Sequence, residues 1–351
     1  MSGNDNNLNL LRVVAALLVL VSHSFVIVTG DVGREPLRIT HGLTFGSIAV
    51  DVFFVVSGLL VTRSIVNRND AIAFVTARAL RIWPGLVVSL LLVAYVLGGA
   101  FTGLPMTEYL GSAGTFNFVF KGVTMAVTLP ALPGVFTNNP FGDAANLSLW
   151  TLPVEVRMYA YLLGAWLVTC AAGRLKRKAF MTVIALAFGY YAASHMASHG
   201  GTIEWSGARL PFMFFTGALA SLFAGRVVMS RLMASAALCL LLVTAAFGGA
   251  TFFIAYSVTL PYLVLWLAFE PGGAVRLYNK AGDYSYGLYI YAWPVQQAII
   301  FALPGLSVFA HILLSITATL PLAATSWHLV EKPAMRVGVR LRRRPVPQPQ
   351  A

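Results

Sequence analysis

Ten runs of apolar residues divide this chain, most of them near the twenty residues that a helix needs to cross a hydrocarbon layer. They fall at roughly 9–28, 42–62, 82–102, 147–171, 179–197, 208–224, 232–249, 251–269, 284–303 and 307–330. Of the 351 residues, 58% are hydrophobic and only 10% charged, with a mean hydropathy of +0.78. A soluble domain carries about 25% charged residues, so this chain cannot clothe a water-facing surface. Helices satisfy every backbone group internally, as lipid demands. The expected fold is all-α: a polytopic transmembrane helix bundle of about ten spans. No basic stretch precedes the first run and no clean small-residue cleavage pattern follows it, so the first run is expected to be a retained helix.

The net charge of +12 raises nucleic acid as a partner, and the placement of the cations argues against it. Of 24 Lys and Arg, 18 lie in segments after alternate runs: "TRSIVNRNDAIAFVTARALR", "GRLKRK", "GRVVMSR", "RLYNK" and "EKPAMRVGVRLRRR". The opposite connections hold few cations. This asymmetry places both termini and the basic loops in the cytoplasm, and gives the basic faces an attraction to anionic membrane lipid. A membrane domain over 1–335 is expected, followed by a basic cytoplasmic tail over 336–351, surface-bound or disordered. Cys170 and Cys239 lie inside apolar runs at no metal or disulfide spacing, and are expected to be buried, inert thiols.

Residues 103–146 do not fit the pattern. They are long, rich in Gly, Pro and Asn, and partly apolar. An outer loop that dips toward the membrane is expected, because irregular backbone at that depth must be buried in protein or line a cavity. Loops of this length are commonly functional, which makes it a candidate lid. No internal repeat is visible, and that weighs against carriers built from duplicated halves.

Ionisable groups inside apolar runs cost about 2.5–3.5 kcal/mol each on insertion scales, so they need a reason. His23 lies eleven residues beyond Arg12, a helical rise of about 16.5 Å. Asp51 lies twelve residues before Arg63, a rise of about 18 Å. Runs one and two are antiparallel and joined by a short loop, so His23 and Asp51 are expected to meet. A carboxylate beside an imidazole fixes its tautomer and raises its basicity, as a general base requires. Arg12 alone reads equally well as a snorkelling boundary cation. Arg78 and Arg81 share a helix face at what the charge pattern makes the cytoplasmic mouth. They are either topology signal or a clamp for a phosphorylated ligand, since guanidinium forks match phosphate oxygens. Glu155, in "SLWTLPVEVRMYAYL", is either an interfacial acid satisfied by water or a site wall.

Taken together, these stretches resemble the acyltransferase-3 family of integral membrane acyltransferases, over nearly the whole chain from Leu8 to Pro333. The element Arg-x10-His is similar to Arg12 and His23. "FFxxSG" is matched by "DVFFVVSGLL", with Asp51, Phe53, Phe54, Ser57 and Gly58. "RxxRIxP" is matched by "RALRIWP", with Arg78, Arg81 and Pro84. "LWxLxxExxxY" is matched by "LWTLPVEVRMY", with Trp150, Glu155 and Tyr159. "SYxLYL" is matched by "SYGLYIY", with Ser285, Tyr286 and Tyr289, and the closing "EKP" is Glu331 to Pro333. There are departures: a histidine common in the family is Ala292 here, which throws more weight on His23, and Leu59 follows "SG" where many members have Phe.

The resemblance implies an O-acetyltransferase of the bacterial cytoplasmic (inner) membrane. Its donor would be an acyl-CoA, most often acetyl-CoA, and its acceptor a hydroxyl of a cell-surface or lipid-linked polysaccharide. No metal is implied. His23 would serve as general base or transient acyl carrier with Asp51 orienting it. Arg12, Arg78 and Arg81 would hold the donor phosphates, and Ser57, Trp150, Glu155 and Tyr159 would wall the acceptor side. No appended extracytoplasmic domain is expected after run ten, so transfer is expected to be completed by the membrane domain or with polysaccharide-assembly proteins. The rival reading is a proton-coupled transporter or flippase of a lipid-linked sugar.

Overall fold

The computed structural model describes residues 6–126, 131–142, 144–198 and 207–342. Among them, regular structure is helical, and the one strand-like pairing is an isolated bridge between Thr102 and Val135. Helix α1 (Leu8–Thr29) leads through a short α2 (Pro36–His41) into α3 (Phe45–Arg68) and α4 (Ala71–Leu91). A wide π turn over Leu92–Leu97 carries α4 into α5 (Gly98–Phe101). Two short helices follow, α6 (Met106–Gly111) and α7 (Ala113–Val123). The long helices then resume with α8 (Thr151–Thr169), α9 (Lys176–Ala197), α10 (Arg209–Leu222), α11 (Arg231–Phe247) and α12 (Gly249–Phe269). The chain finishes with α13 (Ser285–Ala302), α14 (Val308–Ser326) and α15 (Lys332–Arg342).

Each of the ten apolar runs overlaps one of these helices. Six stretches are long and apolar enough to cross a membrane: Leu8–Thr29, Phe45–Arg68, Ala71–Phe101, Leu147–Ala197, Gly249–Phe269 and Val308–Gly338. The fourth holds two helices, α8 and α9, broken at Gly173, whose φ is 52°. Helices α10 and α11 are shorter but apolar.

Local chemistry sets the ends. Gly30 closes α1 in the left-handed region, and a reciprocal cap between Thr44 and Ser47 opens α3. Asn69, at φ 52°, ends α3, and the Asp70 side chain accepts from Ala73 N to start α4, so two residues make the α3–α4 hairpin.

Helices α3 and α10 pack through backbone. A Cβ on Gly58 would strike the Phe214 carbonyl oxygen, and one on Gly217 would strike that of Val55. Small residues at such crossings let membrane helices approach closely enough for dispersion to hold them. Helix α1 lies against α3, with Ser22 Oγ 2.8 Å from where a Cβ on Gly46 would stand. The pair is antiparallel, so this contact sets the register: Arg12 is level with Val56, and Leu18 with Val50.

Described parts of the segment 103–146 pack against the long helices. Tyr109 Oη donates to the Ala94 carbonyl beside Gly98, and Trp83 Nε1 donates to the Val123 carbonyl at 3.1 Å. From Gly98 to Trp83 is about 22 Å of helix, so α7 descends deeply along α4. The chain is back at the other end by Pro140, packed on Gly30. It then runs down beside α13: Ala144 O accepts from Trp293 Nε1 at 2.7 Å, Asn146 Nδ2 donates to Ile290 O at 2.9 Å, and Ser148 O accepts from the Tyr289 hydroxyl. The described parts of the segment thus pack along α4 and α13.

One expectation is corrected. Cys170 and Cys239 are free but exposed on the outside of the bundle, since they occupy outward positions of apolar helices. The start of the tail is helical, in α15, while residues 343–351 lie outside the described residues.

Candidate active site

A cavity of about 530 Å³ opens among α1, α3, α4, α8, α13 and α15. Along α3 its wall runs from Arg68 to Val50, roughly 27 Å of helix. Arg68, Ser64, Ala77, Met335 and Gly338 line it at the end where the basic loops gather, and Val50, Phe53 and Tyr289 close the far end.

Midway lies a belt of charge. Arg12 and Arg81 converge on one carboxylate, Asp283, with Arg81 Nη2 at 2.6 Å from Oδ2. Arg81 Nη1 also reaches Glu331 Oε2 at 3.2 Å, and Ser326 Oγ donates to Glu331 Oε1 at 3.0 Å. The wide turn at Trp327–Glu331 re-aims these side chains: Glu331 meets Arg81, and Trp327 enters the cavity wall. The Arg81 guanidinium lies 5.5 Å from the Tyr286 ring centre and 5.8 Å from that of Trp327. Asp283 precedes α13, and burial alone would raise its carboxyl. Arg12, Arg81 and the Ser285 hydroxyl outweigh burial and hold it below the ordinary range.

Arg78 differs from the other two. Its guanidinium lies 5.9 Å from the Tyr159 ring centre, and its Nε is buried with no hydrogen-bond partner. Beside it, Ser57 Oγ donates to Glu155 Oε1 at 2.8 Å and lies 3.1 Å from the Tyr159 hydroxyl, which donates to the same carboxylate oxygen.

Six of the nine residues singled out in the sequence therefore share one cavity: Arg12, Ser57, Arg78, Arg81, Glu155 and Tyr159. The division into a donor mouth and an acceptor wall is not what the fold makes, because α3, α4 and α8 bring both groups to the same level. Trp150 lies outside the cavity lining and is 44% exposed.

His23 and Asp51 do not meet. Asp51 is fully buried, faces Arg209 Nε at 3.3 Å and accepts from the Tyr256 hydroxyl at 2.7 Å. The register set by Ser22 and Gly46 puts His23 six residues beyond Asp51, about 9 Å of helix. His23 instead packs edge-on against Trp293, with ring centres 4.8 Å apart and planes at 78°, and its Nδ1 is buried without a hydrogen-bond partner. Trp293 follows the Ala292 that replaces the family's common histidine. Cavity and histidine are neighbours without being joined: Val50 is level with Leu18, about 7.5 Å of helix short of His23.

Several lining residues were quoted in the sequence without a role, or missed. Asp283 had a signal: the chain holds only 12 acids, and this one stands two positions before Ser285. Glu331 was visible in "EKP". Phe53 and Tyr289 stood in the "DVFFVVSGLL" and "SYGLYIY" stretches without a role, and Trp327 had no signal beyond its apolar run. Among the described residues, no group of three or more His, Cys, Asp or Glu side chains is placed to hold a metal.

The architecture defines a class: a multi-pass helical membrane protein with a deep, arginine-belted cavity at its basic end. The family model described as an acyltransferase domain matches residues 5–328. A protein of Shigella phage Sf6 named O-acetyl transferase is 30% identical over 329 residues, covering 92% of this chain and 93% of the relative. Nodulation protein 10 of Rhizobium leguminosarum bv. viciae is 28% identical over 372 residues, covering 97% and 96%. No solved structure matches. The chain belongs to the acyltransferase-3 family and is an acyltransferase. Family membership leaves the carrier reading without support.

Proposed function

We propose that the protein moves an acyl group, acetyl by default, from acyl-CoA to a hydroxyl of a surface or lipid-linked carbohydrate, in a bacterial inner membrane. In this reading it has ten spans with both termini in the cytoplasm, and the basic end of the cavity faces the donor's compartment. The name of the phage relative supports O-acetyl transfer. The observation that carries the donor assignment is Arg78. Arg12 and Arg81 are neutralised by Asp283 and Glu331, whereas Arg78 lines the cavity with no carboxylate paired to it among the described residues. A guanidinium in a cavity wall is stabilised by an anionic acceptor, and a phosphate oxygen is the partner a nucleotide thioester brings.

With the phosphates at the level of Arg78 and Arg12, the eleven residues from Arg12 to His23 span about 16.5 Å, the reach of a pantetheine arm. His23 takes the proton of the acceptor hydroxyl as that oxygen attacks the thioester carbonyl. The carbon–sulfur bond breaks, the CoA thiolate takes the proton back from His23, and ester and free CoA leave. In the second route, His23 itself carries the acyl group between donor and acceptor; the geometry is the same for both. Trp293 orients the imidazole, and Asp51 is released from that role by its bonds to Arg209 and Tyr256.

The test is transfer of labelled acetyl from acetyl-CoA by the purified protein in nanodiscs, with carbohydrate from the producing membrane as acceptor. His23→Ala is expected to lower transfer by about 10²–10⁴-fold while CoA still binds. Transfer at the wild-type rate sinks the assignment of His23. Arg78→Ala is expected to weaken CoA binding, read by calorimetry; unchanged binding removes the phosphate role.

A further inference from the structure

We infer that Phe53 is the specificity-determining residue for the acyl group, the ring that decides which thioester tail passes from the donor cavity to His23. The inference rests on the donor reading above. The cavity ends at Val50, Phe53 and Tyr289, and His23 lies beyond that end. On α13, Tyr289 lines the cavity and Trp293, one turn on, holds His23. A tail travelling from the arginine belt to His23 therefore passes between Phe53 and Tyr289, whose ring centres are 6.3 Å apart at 63°.

The two sides of this passage are not equally free. Tyr289 is pinned, its hydroxyl 2.6 Å from Thr151 Oγ1 and bonded to the Ser148 carbonyl. Phe53 has no polar tether. It is half-buried and packs against an apolar cluster that includes Val13 and Ala16 of α1. Rotating an untethered ring costs a few dispersion contacts, while moving Tyr289 breaks two buried hydrogen bonds. Phe53 is the side that yields, and the space it vacates sets the width of tail admitted. An acetyl methyl needs little room; each further methylene needs the ring to move further against α1.

The experiment compares acetyl-, propionyl- and butyryl-CoA as donors for the full-length protein in nanodiscs, with the same carbohydrate extract, and follows release of the CoA thiol. Discrimination by one methylene in an apolar site is worth about 10–200-fold. Phe53→Ala is expected to raise the kcat/KM ratio of butyryl- to acetyl-CoA at least tenfold, and Phe53→Trp to slow all donors, butyryl most. Phe53→Leu, which keeps most of the packing, is expected to move the ratio the same way by a smaller factor if the alanine variant does not fold. A butyryl-to-acetyl ratio within twofold of wild type in folded Phe53→Ala or Phe53→Leu overturns the inference and leaves the donor reading standing. No CoA release by wild type from any of the three donors overturns both.

Discussion

Asp51 and His23 divide two jobs that the sequence assigned to one pair. Asp51 neutralises Arg209 in a fully buried contact, and removing one partner of such a pair costs about 3–5 kcal/mol. Arg209→Ala is therefore expected to lower the thermal midpoint of the detergent-solubilised protein sharply, whereas His23→Ala is expected to leave it near wild type while transfer is lost. Equal midpoints for Arg209→Ala and wild type would refute the structural role given to Asp51. The same logic applies to Asp283, which compensates both Arg12 and Arg81. Asp283→Asn strands two guanidinium groups and should destabilise, and Arg12→Gln added to it should recover part of the loss. The individual residues were legible because ionisable groups in apolar runs are costly enough to stand out. Their partners were not, because pairing depends on helix register. Depth was reckoned from each helix's own cationic end, and those ends do not lie in one plane. With Ser22 on Gly46, Leu8 is level with Leu60, so α3 runs about 12 Å past the start of α1.

Helices were readable as elements, and their crossings were not. Every apolar run overlaps a helix, but nothing in "VVSGLL" or "FFTGAL" says that Gly58 and Gly217 bring α3 and α10 into backbone contact. Gly217→Val is expected to force the helices apart and lower thermal stability far more than Gly189→Val, at an α9 glycine whose added Cβ meets nothing within 4 Å. A thermal-shift comparison of the two variants reads the difference directly. The descent of 103–146 was partly legible from its composition. Its course down α4 and back along α13 depends on single bonds such as Trp83 to Val123 and Asn146 to Ile290.

For the molecule as a whole, the asymmetry of Lys and Arg predicts a definite labelling pattern. In a chain with Cys170 and Cys239 replaced by Ser, Arg34→Cys is expected to react with a membrane-impermeant maleimide on intact cells. Arg174→Cys is expected to react only after permeabilisation; the opposite result inverts the topology. The bond between Asp51 and Arg209 has a further consequence, for the order in which the protein is made. The two residues are 158 positions apart. At about 5–20 residues per second of synthesis, α3 waits roughly 8–30 s for α10. During that interval the nascent bundle carries an acid whose counter-charge has not yet left the ribosome. Chains arrested before α10 should therefore be held by the insertion machinery or degraded, and chains arrested just after α10 should be the first to resist proteolysis.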